Sequence, residues 1–456
     1  MRRLAPVLAA CLLAGCASLP ADDGLAARVD ALLAPRVAAR EFSGAVVLTR
    51  RGQVVYERGF GMANHEAGVP FTPDTPTDGG SLAKTFTAAG VWWLAQEGRI
   101  DLDAPVTRYL PGFPHAATTV RHLVTHANGL PPYYEAFDPH FAPGAVRTTQ
   151  DLLAVTARIA PQPAFAPGTR FEYSNLGFDA AALVIERVTG LGYEAFLRER
   201  FLARLAMSRT FARPARFSDW AGVRTMGYEW KAGAWQVVDV YDGEAFLGAS
   251  NLYFSAADLS RWARANAAGT AVPPEVLAAG QERPLLGGRP SHITGLSWYC
   301  DDARERCYYT GSLNAFHGLA YWDRRRDETV VMVSNSSVPP WPLATLQRDL
   351  VAALAGEPPQ PAPAPAFRAL DRNTRPGAAG AWIAQGLGTV TVTVRAGNRL
   401  RLQAGDGLAF DMFAVSPEVF YVPGPDWWVA FGGGGERPDS MHVRGMFVDA
   451  VARRLP

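Results

Sequence analysis

Ser81 and Lys84 stand three apart in Gly80-Ser81-Leu82-Ala83-Lys84. On one helical turn they share a face and come within side-chain reach. A serine hydroxyl is a weak nucleophile until a neighbour accepts its proton. An amine desolvated enough to lose its own proton can be that neighbour. Ser81 at a helix start would also lie beside backbone N–H groups suited to an oxyanion. The composition singles out this lysine. Lys plus Arg total 44 in the 456-residue chain, yet Lys84 and Lys231 are the only lysines. A guanidinium does not act as a base, so a lysine kept where arginine is the rule marks a position that needs an amine. Lys231, in Trp230-Lys231-Ala232-Gly233, reads as a turn residue.

The remaining candidates read as structural. His122 and His126 have a metal-ligand spacing, but no glutamate lies between them and no third ligand is placed. No metal or cofactor is therefore expected. His317 reads as a core-edge histidine, and Trp92 and Trp93 as core and cleft wall. Cys300 and Cys307 flank a six-residue charged loop between aromatic-rich runs, and a disulfide between them is expected. Arg324-Arg325-Arg326-Asp327 reads as a solvated hairpin tip. With 44 basic against 43 acidic side chains, the charge argues against a nucleic-acid surface.

The elements that must position these residues follow from periodicity. Residues 23–40 predict a helix, with Leu25, Val29, Leu32 and Leu33 near helical spacing. Strand-like runs follow at Phe42–Arg50 and Gln53–Phe60, joined at Arg51-Gly52. From about 81 to 270 the chain reads as helical patches, the first running from Ser81 to Gln96 with Gly98 as its stop. Strand-like runs return at Trp298–Thr310, His317–Asp323 and Glu328–Ser334. One antiparallel sheet assembled from both ends, with helices packed on it, gives an α/β layer architecture. Gly356–Ala366 holds five prolines and reads as an extended linker. Residues 367–456 read as a small all-β, barrel-like domain.

Several blocks in order resemble one family, the serine β-lactamases and penicillin-binding proteins. The resemblance is closest to the class C β-lactamase-like branch that also holds esterases and D-amino-acid peptidases. Residues 75–113 (TPTDGGSLAKTFTAAGVWWLAQEGRIDLDAPVTRYLPGF) resemble its first-motif block, and 120–133 (VRHLVTHANGLPPY) the block after it. Residues 167–190 (PGTRFEYSNLGFDAAALVIERVTG) resemble the second-motif block, and 246–263 (FLGASNLYFSAADLSRWA) a further segment. The resemblance implies a hydrolase domain over 23–355, an antiparallel sheet flanked by helices with a helical subdomain. It implies Ser81 as nucleophile, Lys84 as its partner and Tyr173 as second general acid/base. Asn175 would hydrogen-bond Lys84 and the substrate amide. Tyr309-Thr310-Gly311-Ser312 matches the last motif, with Ser312 N–H at the oxyanion position. Tyr309 stands where Lys or His is usual, so the positive field over a substrate carboxylate is missing.

Residues 1–15 show two arginines and then an apolar run, a signal-peptide layout. Leu13-Ala14-Gly15-Cys16 resembles a bacterial lipoprotein signal, which implies lipid on Cys16 and an envelope-anchored protein facing the periplasm. The expected activity is a serine hydrolase acting on small esters or D-amino-acid amides and peptides, and the expected state is a monomer. Weak β-lactamase or D-Ala-D-Ala carboxypeptidase activity is the alternative within the family. A non-catalytic envelope-binding protein is the alternative outside enzymes, with Tyr309 as its sign.

Overall fold

The computed structural model describes residues 24–456 apart from 131–136, 143, 240–241, 338–339, 359–369, 371–374, 386, 396–398, 405–408, 416, 423–426 and 434–436. The leader, Cys16 and most of the proline-rich linker lie outside the described residues.

A six-stranded antiparallel sheet is built from both ends of the chain. In chain order its strands are β1 (Gly44–Arg50), β2 (Gln53–Phe60), β3 (Tyr299–Cys300), β4 (Arg306–Leu313), β5 (Phe316–Asp323) and β6 (Glu328–Ser334). The spatial order is β3-β4-β5-β6-β1-β2. Strands β5 and β6 are buried along their whole length, so residues on both faces are covered. The edge strand β2 is mostly exposed. The Leu25–Ala38 and Pro340–Ala355 helices pack together beside the sheet, and the Ala256–Ala267 helix packs on β1, β5 and β6. Leu25, Val29, Leu32 and Leu33 are the buried residues of the first helix, as their spacing requires.

The Ser81 segment starts differently from the helix expected there. Gly80–Leu82 is a single 3-10 turn, and the α-helix runs from Ala83 to Gln96. This helix is buried over most of its circumference and packs on the Asn175–Thr189 helix. Gly98 ends the turn after it at φ 70°, a conformation glycine adopts without penalty. Cys300 and Cys307 face each other across β3 and β4, with Cα atoms 4.1 Å apart, and form the disulfide.

The hairpin tip at Arg324 departs from its solvated reading. The guanidinium of Arg324 donates to the Asn266 and Ala267 carbonyls, at 3.3 and 3.2 Å. These are end carbonyls of the Ala256–Ala267 helix, where the intrahelical donors run out; the Asn266 carbonyl also accepts the Gly269 N–H at 3.1 Å. Lys231 ends the first strand of a small hairpin, Tyr228–Lys231 paired with Ala234–Val237, and is itself exposed.

The C-terminal residues form a closed barrel of eight strands, from Gly380–Ala384 to Val448–Arg454, each paired with its chain neighbour. Pairing of the first with the last removes the free edges. Its interior is packed with inward-facing residues such as Trp382, Leu402, Phe431 and Val443. The barrel is docked on the Pro340–Ala355 helix. Arg348 pairs with Asp449, and the buried Arg444 reaches Thr345 and Asp449. Phe447 packs edge-on against Tyr308 of β4, at 5.2 Å between centroids.

Candidate active site

Two glycines bring β4 against the Gly80–Leu82 turn that carries Ser81. A Cβ on Gly311 would lie 1.8 Å from the Gly79 carbonyl oxygen and 3.1 Å from the Ser81 nitrogen. A Cβ on Gly80, at φ 52°, would lie 2.8 Å from the Ser312 nitrogen. The backbones of Gly79–Ser81 and Gly311–Ser312 therefore touch, which a side chain at either glycine would prevent. Asp78 fixes the turn from the other side, with Oδ1 accepting the Gly80 N–H at 2.7 Å. Burial raises the Asp78 carboxyl to about 6, opposed by the Arg213 charge and the Gly80 bond.

Lys84 is fully buried one helical turn on. Its Nζ lies 2.8 Å from Asn175 Oδ1, 2.9 Å from the Ala249 carbonyl and 3.1 Å from Ser81 Oγ. The first two partners can only accept. They take two N–H bonds, so in the neutral amine the remaining direction, toward Ser81, is the lone pair. Burial pushes Lys84 down to about 7, against the opposing charge of Asp179. Asn175 and Asp179 lie four apart on one face of the Asn175–Thr189 helix. Asp179 Oδ1 accepts the Ala249 N–H at 3.0 Å and so holds the carbonyl-bearing residue in place.

Tyr173 completes the cluster, with its hydroxyl 2.6 Å from Ser81 Oγ. The Lys84 ammonium position lies 4.9 Å from the centroid of its ring. On that ring stacks His126, at 4.4 Å between centroids and 22° between planes. His126 Nδ1 accepts the Ser174 N–H at 3.0 Å, which places its proton on Nε2. Burial among Phe171, Tyr173 and Phe178 holds its pKa well below the usual value, so the ring is neutral. His126 itself sits at φ 55°. His122 has a separate task, closing a capping box with Thr119 at the start of the Val120–Val124 helix.

The structure thus brings Ser81, Lys84, Tyr173 and Asn175 together and lays Gly311 and Ser312 beside them. It treats Tyr309 differently from the substrate contact expected. That ring is only 1% exposed, packed against Tyr299 at 5.4 Å. Thr310 points to the opposite face of β4 from Tyr309 and Gly311, as strand alternation requires. Ser312 is exposed, and its hydroxyl lies 3.1 Å from His317 Nδ1. Residue-type reasoning misses Ala249, Asp179, His126 and Asp78. The only signal for Ala249 is its place in the Phe246–Ala263 block, because a backbone carbonyl has no residue type.

The family described as Beta-lactamase matches residues 29–355. Penicillin-binding protein 4* of Bacillus subtilis (strain 168) is 30% identical over 170 residues, 37% of this chain and 38% of that protein. Esterase EstB of Burkholderia gladioli is 37% identical over 181 residues, 36% of this chain and 46% of that protein. The chain thus spans less than half the length of these two curated relatives. The solved structure of an octameric penicillin-binding protein homologue from Pyrococcus abyssi shares the fold over 94% of this chain and 99% of its own. Its TM-score is 0.63 at 23% identity. With the family match covering well over half of its length, the chain belongs to the beta-lactamase family.

Proposed function

We propose that this protein is an exported, lipid-anchored serine hydrolase that works through an acyl-enzyme on Ser81. The observation that carries the reading is the set of acceptors around Lys84. Asn175 Oδ1 and the Ala249 carbonyl leave one direction of the amine for the Ser81 proton. Ser81 Oγ attacks the substrate carbonyl as its proton passes to Lys84 or, through the 2.6 Å contact, to Tyr173. The N–H groups of Ser81 and Ser312 receive the oxyanion. Tyr173 then protonates the departing alkoxide or amine, and the acyl group stays on Ser81. A water molecule enters where the leaving group was. It gives its proton back through Tyr173 and releases the acid, with the serine proton restored.

Small esters and D-amino-acid amides or peptides are the first substrate class. Similarity to an esterase and to a penicillin-binding protein supports both arms. Peptidoglycan stem peptides come next and β-lactams last, because Tyr309 is buried and uncharged where a cation would face their carboxylate. The lipoprotein-like Leu13-Ala14-Gly15-Cys16 supports an anchor at Cys16, with the enzyme a monomer in the cell envelope facing the periplasm. A panel of esters, D-amino-acid amides and penicillins, run beside Ser81→Ala, tests the assignment. Turnover of esters or D-amides that Ser81→Ala abolishes is the expected result. Penicillin turnover exceeding both would overturn the substrate order, and turnover surviving in Ser81→Ala would overturn the mechanism.

A further inference from the structure

The loop that delivers Tyr173 meets the C-terminal barrel through a charge cluster that the mechanism above does not use. Within the loop, Arg170 pairs with Glu172 at 2.8 Å. On the barrel side stand the strands Arg399–Ala404 and Ala409–Ala414, whose register sets Leu402 opposite Phe410 and Arg401 opposite Asp411. Leu402 and Phe410 are buried on the interior side, so strand alternation turns Arg401 and Asp411 outward. An arginine on the outside of a small barrel is ordinarily solvated, yet the Arg401 side chain is only 16% exposed. It lies 3.8 Å from Asp411 and within electrostatic reach of Arg170 and Glu172. Arg401 thus has one carboxylate from its own domain and one from the residue next to Tyr173.

A packed contact accompanies the charged one. Phe410 meets the His292 ring edge-on, at 4.6 Å between centroids. His292 follows a short hairpin, Leu285–Leu286 paired with Arg289–Pro290. The turn of that hairpin touches the start of the Tyr173 loop. The Gly287 N–H donates to the Gly168 carbonyl at 3.3 Å, and a Cβ on Gly287 would lie 2.6 Å from the Thr169 carbonyl oxygen. The barrel therefore reaches residues 168–172 by two routes, one through charge and one through packing. The hydrolase body holds the backbone of this loop, where the Glu172 N–H donates to the His126 carbonyl at 2.8 Å. The barrel acts on the side chain of the same residue. The next residue has little tolerance, because the Tyr173 hydroxyl lies 2.6 Å from Ser81 Oγ and proton transfer needs that reach in the reacting geometry.

We infer that the C-terminal barrel is a positioning element for Tyr173, with Arg401 acting on the Arg170–Glu172 pair and Phe410 acting through His292. The inference rests on the reading of Tyr173 as the group that protonates the leaving group. It gives the barrel a part in that one step.

The test compares two esters of one acyl group on the full chain, an ethyl ester and a 4-nitrophenyl ester. Ethoxide needs a proton to depart, and 4-nitrophenolate leaves without one. The ratio of their kcat/KM values therefore reads proton delivery to the leaving group. Arg401→Gln removes the charge and Phe410→Leu removes the ring while keeping an apolar side chain inside the barrel. Each should move the ratio about threefold against the ethyl ester, and the double variant about tenfold. A double variant within twofold of the wild-type ratio would overturn the inference, including when both esters slow together because the barrel has shifted. Tyr173→Phe separates the two levels, with an expected shift of about 10²-fold in the same direction. A ratio moved there and unmoved in the barrel variants sinks the barrel's role alone. A ratio unmoved in folded Tyr173→Phe sinks the reading of Tyr173 beneath it.

Discussion

Lys84 is where residue type, burial and hydrogen bonding converge. Its neutral form is populated above about 7, because burial penalises the ammonium. Below that pH the direction facing Ser81 carries an N–H, and the serine proton has no acceptor there. The acylation kcat/KM should therefore rise about tenfold per pH unit on the acid side and level off above neutrality. A profile flat through neutrality would contradict the assignment. Lys84→Arg keeps the charge and removes the base, so kcat should fall by about 10²–10⁴-fold. His126 offers a finer test of positioning. His126→Asn keeps a side-chain acceptor for the Ser174 N–H and tolerates the φ of 55°. His126→Phe keeps the ring but leaves that donor buried and unpaired, a loss of about 1–3 kcal/mol. The expected order of kcat is wild type, then Asn, then Phe. The reverse order of the two variants would show that stacking on Tyr173, and not the hydrogen bond, sets its position.

At the scale of elements, the meeting of β4 with the Gly80–Leu82 turn decides whether the proposed oxyanion site can form. Gly311→Ala would place a Cβ 1.8 Å from the Gly79 carbonyl oxygen, so one backbone must retreat. The expected outcome is a loss of about 10²-fold in kcat, the size seen when one oxyanion donor is lost, measured alongside the melting temperature. Wild-type kcat in that variant would show that the contact is dispensable. Much of this level could be read from residues. The apolar spacing of the first helix, the hairpin at Arg51-Gly52 and the returning strands all appear where periodicity puts them. The short 3-10 turn at Gly80–Leu82 could not be read that way, because nothing in Gly-Ser-Leu separates it from a first α turn. Arg324 was also illegible. A run of three arginines looks like solvent-facing charge until the end of the Ala256–Ala267 helix is placed beside it. At the site, Ser81, Lys84, Tyr173 and Asn175 are legible through spacing and block resemblance. Asp179 and the Ala249 carbonyl act only through a tertiary contact, so no local pattern reveals them.

For the whole molecule, the disulfide and the barrel both hold the start of the strand that carries Gly311 and Ser312, at Cys307 and Tyr308. Cys300–Cys307 ties β4 to the short edge strand β3, closing a small loop. Its removal in Cys300→Ala/Cys307→Ala should cost about 2–3 kcal/mol by loop-closure entropy, read as a drop in chemical-denaturation midpoint. An unchanged midpoint would show that the sheet edge holds without it. The barrel grips the same body through Arg444, which reaches Thr345, and Asp449, which pairs with Arg348. That Ser81 is an activated nucleophile is probed by intact mass after incubation with a fluorophosphonate. A single adduct is expected on wild type, lost in Ser81→Ala and strongly slowed in Lys84→Arg. A folded wild-type protein that takes up no adduct, or an adduct that persists in Ser81→Ala, would contradict it.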